Sequence, residues 1–179
     1  MSDTAYIRPE TLAKKLTPQL EETFGNFLVV VLIPNRKGLL CPFAWYNVPT
    51  HHRKALWNAL VAEIGREVPE ALPDSIPLEL RSEMPPAVQE GLSKTYPLIH
   101  KHCKLFMVVS YNFPEPMPTA EIPPVLPPGT KIEYMVSGHC VNVKKALQWY
   151  SRKLQDGEER NLKSYGAEED HGTDTVPKS

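Results

Sequence analysis

The spacing of the hydrophobic residues changes several times along the chain. Leucine recurs every fourth residue from Leu12 to Leu20, and Phe24 continues the series, which predicts a helix that buries one face. Residues 27–33 are apolar at every position and rich in valine, a pattern typical of a strand buried on both faces. The start of the chain therefore predicts a helix followed by a central strand.

A turn and a second strand are predicted next. Residues 34–38, PNRKG, favour a turn because Gly38 accepts positive φ without steric cost. Residues 39–46 then form the return strand, and Pro42 places it at a sheet edge, since proline cannot donate to a ladder. A helix over residues 51–66 follows. Its predicted apolar face consists of Trp57, Leu60, Val61 and Ile64.

The second half of the chain shows a similar alternation with more prolines. Residues 67–86 are punctuated by proline and predict mostly loop. A helix over about residues 86–96 is followed by a third strand at 105–111 and a fourth at 131–136. A last helix begins after Asn142 as its cap and ends at Gly157. Its predicted inner face consists of Val143, Leu147, Tyr150 and Leu154.

The third and fourth strands are predicted to form an antiparallel hairpin across the proline-rich residues 114–128. If that connection closes near Phe113 and Thr130, one register follows for the whole ladder. The two strand ends that carry cysteine then lie side by side, with the thiols free in a reducing compartment. The predicted pairs are Tyr111 with Ile132, Met107 with Val136, and Cys103 with Cys140.

These elements predict a single α+β domain over residues 1–157, with about four strands in one sheet and the helices packed on one face. The order helix–strand–strand–helix occurs twice. This repeated order is compatible with a duplicated unit and equally with chance, because the Lys-Ala-Leu triplet shared by the helices that follow the two strand pairs is common in helices. Residues 158–179 are polar and predict a flexible tail.

Composition narrows the function classes. The net charge of -1 provides no global basic field toward nucleic acid. The longest apolar run, residues 27–34, is shorter than the roughly 20 residues of a membrane helix, and residues 1–10 lack the pattern of a signal peptide. Three cysteines are too few for a secreted disulfide scaffold. We therefore expect an intracellular protein, cytoplasmic or nuclear, without membrane association.

Two short stretches, LIHKHC at 98–103 and GHC at 138–140, concentrate histidine and cysteine. On an extended backbone His100 and His102 point to the same side, and the hairpin register brings His139 near them. One interpretation is a zinc site, because imidazole nitrogen is a common zinc ligand. Neither stretch has C-x-x-C spacing, so we prefer surface imidazoles, buried thiols and no cofactor.

The last helix carries a basic stripe over residues 143–155. Cations on one helix face with interleaved aromatic residues are typical of a surface that contacts phosphates or an acidic protein. A solvated face that happens to be basic is the plainer alternative. The candidate binding residues are Lys144, Lys145, Gln148, Trp149 and Arg152.

Motif searches favour a protein without catalytic activity. The chain contains no G-x-S-x-G, no phosphate-binding glycine loop and no H-E-x-x-H. The proline-rich segments and the polar tail favour a non-enzymatic protein-interaction module. The alternatives are a nucleic-acid-binding protein that uses the helix at 143–155, and a metal-dependent enzyme with its site near residues 100–103 and 139–140.

Overall fold

The computed structural model describes residues 5–48, 50–112 and 130–156, apart from the side chains of residues 50, 51 and 112. The predicted tail and the proline-rich connection lie outside these residues. Within them the chain forms five helices and five strands. In chain order these are α1 (Pro9–Phe24), β1 (Leu28–Pro34), β2 (Leu40–Tyr46), α2 (Thr50–Glu67), β3 (Pro77–Arg81), α3 (Pro86–Ser93), α4 (Tyr96–His102), β4 (Leu105–Asn112), β5 (Lys131–His139) and α5 (Cys140–Asp156).

The described strands form one antiparallel sheet in the order β2-β1-β4-β5-β3. The α+β class and the single domain are confirmed, but the sheet has five strands and not about four. The additional strand is β3, which lies in residues predicted to be mostly loop. Leu78 and Leu80 alternate with polar residues and pack on the core, as the side chains of a strand do. The strand is only five residues long, so its periodicity was hard to recognise in a proline-rich stretch.

The β4–β5 hairpin has the predicted register. The ladder runs from Leu105 opposite Gly138 to Asn112 opposite Lys131. It ends before either cysteine, because Cys103 caps α4 and Cys140 begins α5. The confirmed pairs include Tyr111 with Ile132 and Met107 with Val136.

Helices cover both faces of the sheet, so the prediction of helices on one face is wrong. We call the face under α2 and α5 the upper face, and the face under α1, α3 and α4 the lower face. The physical reason is β1, which is buried at every position and therefore presents apolar side chains to both sides. Val30 packs in the upper cluster with Trp57, whereas Val31 packs in the lower cluster with Leu16.

Both edge strands carry a proline whose backbone nitrogen faces away from the sheet. Asn47 N donates to Phe27 O at 3.1 Å, just before the β1–β2 ladder begins. Hydrogen-bonded and non-bonded pairs alternate from that point along the ladder, so Pro42 falls at a non-bonded position. In the β3–β5 ladder Ile76 O accepts from Cys140 N at 2.8 Å, which puts Pro77 at the next, non-bonded position. The predicted edge position of β2 is confirmed, and neither proline costs a ladder bond.

The helix–strand–strand–helix order is present twice, as α1-β1-β2-α2 and as α4-β4-β5-α5. β1 and β4 lie side by side in the sheet, and each half places its first helix on the lower face and its last helix on the upper face. Origin by duplication stays a prediction.

Candidate functional site

Helix α5 is anchored at its N-terminus by the loop that precedes β3. Cys140 N donates to Ile76 O at 2.8 Å, and Val141 N donates to Asp74 O at 3.1 Å. These acceptors bind two of the N–H groups that the first turn of a helix leaves without intrahelical partners. The helix therefore begins earlier than predicted, and Asn142, the expected cap, is buried inside its first turn.

The inner face of α5 is fixed against α2 by directional contacts. The rings of Tyr150 and Trp57 meet edge to face, with their centroids 4.8 Å apart. Trp57 Nε1 donates to Ser151 Oγ at 2.9 Å. A ring contact and a hydrogen bond at adjacent positions set the rotation of α5 about its own axis. The side chains that α5 presents to solvent are thereby determined.

The predicted basic stripe lies on that outer side. Four of its members are exposed, and Trp149 is half-buried next to them. Lys153 extends over the Trp149 ring, with Nζ 5.7 Å from the centroid. We call this surface the α5 face and define it as Lys144, Lys145, Gln148, Trp149 and Arg152.

The α5 face is electropositive. Between residues 140 and 156 the helix carries four cations, and its one carboxylate is Asp156 in the last turn. The carboxylate of Asp74, from the loop before β3, contacts this face, with its Oδ1 3.6 Å from Lys144 Nζ. Because both side chains are largely exposed, this ion pair stabilises the folded chain by only about 0–1 kcal/mol, so another anion can displace the Asp74 carboxylate.

The two histidines before β4 lie on α4 and not on extended backbone. Residues two positions apart on a helix point to nearly opposite sides, so His100 and His102 do not converge. His100 is exposed and stacks on Tyr96 with 5.5 Å between ring centroids. His102 is buried, and its Nδ1 donates to the carbonyl of Ala5 at 2.8 Å. The prediction of a surface imidazole is wrong for His102.

The third candidate ligand, His139, is exposed at the end of β5, opposite Pro77. In the described residues no group of three or more His, Cys, Asp or Glu side chains is arranged to hold a metal ion. Cys103 packs on the lower face and Cys140 on the upper face, so the two thiols lie on opposite sides of the sheet. Burial raises the pKa of the Cys103 thiol to about 12, which disfavours the thiolate that metals bind.

A buried polar pair that the sequence interpretation missed joins α2 to β4. His52 Nδ1 and Tyr111 OH form a short hydrogen bond, and the two rings are perpendicular with centroids 5.0 Å apart. Burial raises the pKa of Tyr111 to about 12, with the Asn26 side chain acting in the opposite direction, so the phenol keeps its proton. His52 is 1% exposed and is therefore a core residue of the interface between α2 and β4.

Comparison with protein-family models, with curated proteins and with solved structures found no match to this chain. None of the helices in the described residues combines the length and the apolar character needed to cross a bilayer.

Proposed function

We propose that this chain is a non-enzymatic protein-interaction domain, and that the α5 face is its docking surface for an acidic segment of a partner. The observation that carries the proposal is a row of exposed cations on a helix whose rotation is fixed by Trp57 and Tyr150. A helix that is held in one orientation loses little backbone freedom on binding, which favours affinity.

Electrostatics and the aromatic residue support the same proposal. Complementary charge steers encounter and selects partners, while a partly buried tryptophan supplies contact area. The half-buried ring of Trp149 offers such a contact area, and the ammonium group of Lys153 already lies over that ring. An intracellular setting, cytoplasmic or nuclear, belongs to this proposal and is supported by three free cysteines in the described chain.

The test measures binding of a short fluorescein-labelled peptide of glutamate and aspartate by anisotropy. The variant Lys144→Glu/Lys145→Glu/Arg152→Glu should bind at least about tenfold more weakly, because three attractive contacts become repulsive. The matched control Lys15→Glu/Lys94→Glu/Lys131→Glu changes the net charge equally at other exposed sites. Equal losses in both variants would contradict a specific α5 site.

Nucleic-acid binding by α5 is the second candidate, favoured by the presence of Trp149 among the cations. Duplex and single-stranded probes should be titrated at several salt concentrations beside the peptide. Phosphate contacts give a steep linear fall of log affinity with log salt. A steep slope that the α5 variant reduces, together with no peptide binding, would replace the protein-binding proposal with this one.

The metal-dependent enzyme, with zinc as the metal, gains no support from the described residues, in which no group of three or more possible ligands is arranged to hold a metal ion. Metal analysis of the purified chain tests it directly. Stoichiometric zinc that disappears in the double variant His102→Ala/His139→Ala would support it. Zinc retained at the same stoichiometry in that variant would exclude these two histidines as ligands.

A further inference from the structure

Four separate chain segments meet at the end of the sheet where β1 ends. The N-terminal strip joins α4 through Ala5, whose N–H donates to Lys101 O at 2.8 Å and whose carbonyl accepts from His102 Nδ1. Lys104 N donates to Leu32 O at 2.9 Å, which holds the start of β4 against β1. These backbone contacts bring together side chains that are far apart in sequence.

Cations from these segments form a basic rim around that end. All of its members are exposed. Among the described residues none of them pairs with a carboxylate, and Arg36 has its guanidinium carbon 5.4 Å from the centre of the Tyr6 ring. The carboxylate next to this group in sequence, Glu10, is 2% exposed and forms no hydrogen bond to them. We define the basic rim as Arg8, Arg36, Lys37, Lys101 and Lys104.

Two apolar side chains are exposed among the rim cations. Leu39 is 63% exposed and Tyr6 is 40% exposed, and they are the two most exposed large hydrophobic residues of the described chain. A single exposed leucine is ordinary on a protein surface. Here it lies beside an arginine–tyrosine contact, the residue types that dominate binding energy at protein interfaces.

The turn that presents Leu39 is held rigidly. Asn35 Oδ1 accepts from Lys37 N at 2.9 Å and from Leu39 N at 3.0 Å. Asn35 N donates to Leu39 O at 2.8 Å, and Gly38 takes a φ of 85° that closes the turn. Leu39 is thus exposed in a defined position and loses little backbone freedom when a partner contacts it.

We infer that the basic rim is a second docking surface, which binds an acidic protein segment that carries an aliphatic side chain. The carboxylates of the segment pair with the rim cations, and its aliphatic side chain packs on Leu39 and Tyr6. A nucleic acid would also use the cations and would stack bases on Tyr6, but such stacking gains little from an aliphatic side chain, so the exposed Leu39 favours a protein segment. This surface is separate from the α5 face and does not depend on it.

The test uses two labelled peptides of glutamate and aspartate, one with a central leucine and one with serine in its place. Binding is measured by anisotropy at about 0.15 M ionic strength, where the Debye length is about 8 Å. The parent for these measurements is the variant Lys144→Glu/Lys145→Glu/Arg152→Glu, which removes binding at the α5 face, and adding Arg36→Glu/Lys37→Glu/Lys101→Glu should weaken both complexes at least about tenfold. The control Lys15→Glu/Lys94→Glu/Lys131→Glu should change them less than about twofold, because charges away from the contact act only weakly through solvent.

Leu39→Ser separates the apolar contribution from the charges. It should weaken binding of the leucine peptide several-fold and leave the serine peptide unchanged, while circular dichroism and the melting temperature stay those of the parent. Equal effects of rim and control variants, or no peptide discrimination by Leu39→Ser, would overturn the inference. Rim-dependent binding of single-stranded RNA without peptide binding would overturn it too, in favour of nucleic acid. The converse series, in which the rim variant is the parent and the α5 substitutions are added, reports on the α5 face alone.

Discussion

The two faces of the sheet bury similar apolar side chains but treat polar atoms differently. On the upper face, hydrogen bonds join different elements, as between Trp57 and Ser151 or between Tyr134 OH and Glu67 Oε2 at 2.7 Å. On the lower face bonds also join different elements, as from Trp45 Nε1 to Thr17 Oγ1 at 3.2 Å, but among the described residues the buried carboxylate of Glu10 has no hydrogen-bond partner. The two faces thus differ at their carboxylates, because Glu67 accepts a hydrogen bond from a buried tyrosine, whereas Glu10 is buried without one in the described chain.

The largest expected effect tests whether both faces belong to one cooperative core. Trp57→Ala on the upper face and Phe106→Ala on the lower face should each lower the free energy of unfolding by about 3–5 kcal/mol, because both side chains are almost fully buried. Urea denaturation followed by fluorescence and by circular dichroism should show one transition in each variant. A second transition, or a loss below about 1 kcal/mol on one face, would contradict a shared core.

The directional bonds of the upper face are tested by Tyr111→Phe. Removing the hydroxyl eliminates a hydrogen bond between two buried side chains, and we expect a loss of about 1–3 kcal/mol. His52→Phe and the double variant complete a cycle that isolates the coupling between the two residues. Strict additivity of the two single losses would show that the His52–Tyr111 bond contributes nothing to the position of α2.

The lower face predicts a change of opposite sign at Glu10. A buried carboxylate that lacks a hydrogen bond lowers stability, and its place in the first turn of α1 offsets this by only about 0.3–1 kcal/mol. Glu10→Met should therefore raise the free energy of unfolding by about 1–2 kcal/mol. Glu10→Gln is the control and should gain less, because it keeps buried polar atoms. Destabilisation by Glu10→Met would show that the carboxylate is satisfied.

Elements with a long and simple hydrophobic pattern were predictable from sequence. β1 is apolar throughout, and α1 repeats leucine every fourth residue, so both were placed correctly. The β4–β5 register followed from the predicted point at which the connection between the two strands closes. Covering β1 on both faces requires helices on both sides, and the one-face prediction ignored that requirement.

Short elements and tertiary surfaces were not predictable in the same way. α4 spans seven residues, so LIHKHC was interpreted as extended, although Pro97 in its first turn is a helix-start signal. The α5 face was found because its members share one helix. The basic rim was missed because its cations come from four segments, and only contacts such as that between Lys104 N and Leu32 O reveal that they are neighbours.

The smallest expected effect is an alkaline loss of stability that originates on the lower face. Burial raises the pKa of the Cys103 thiol from 9.0 to about 12. Above about pH 9 the thiol ionises in the unfolded chain while the folded chain keeps its proton. The unfolded state then binds fewer protons, so the stabilisation is complete below pH 9 and is lost progressively as the pH approaches 12. One such group changes the free energy of unfolding by at most about 1.4 kcal/mol per pH unit.

The measurement that isolates this thiol is urea denaturation between pH 8 and about pH 10. Tyr111 shows the same sign of effect, but its pKa rises from 10.0 to about 12, so most of its contribution falls above that window. Cys103→Ala should flatten the fall in stability between pH 9 and 10, whereas Tyr111→Phe should reduce the slope there much less. An unaltered slope in Cys103→Ala would mean that the thiol ionises equally in both states and that packing on the lower face does not raise its pKa.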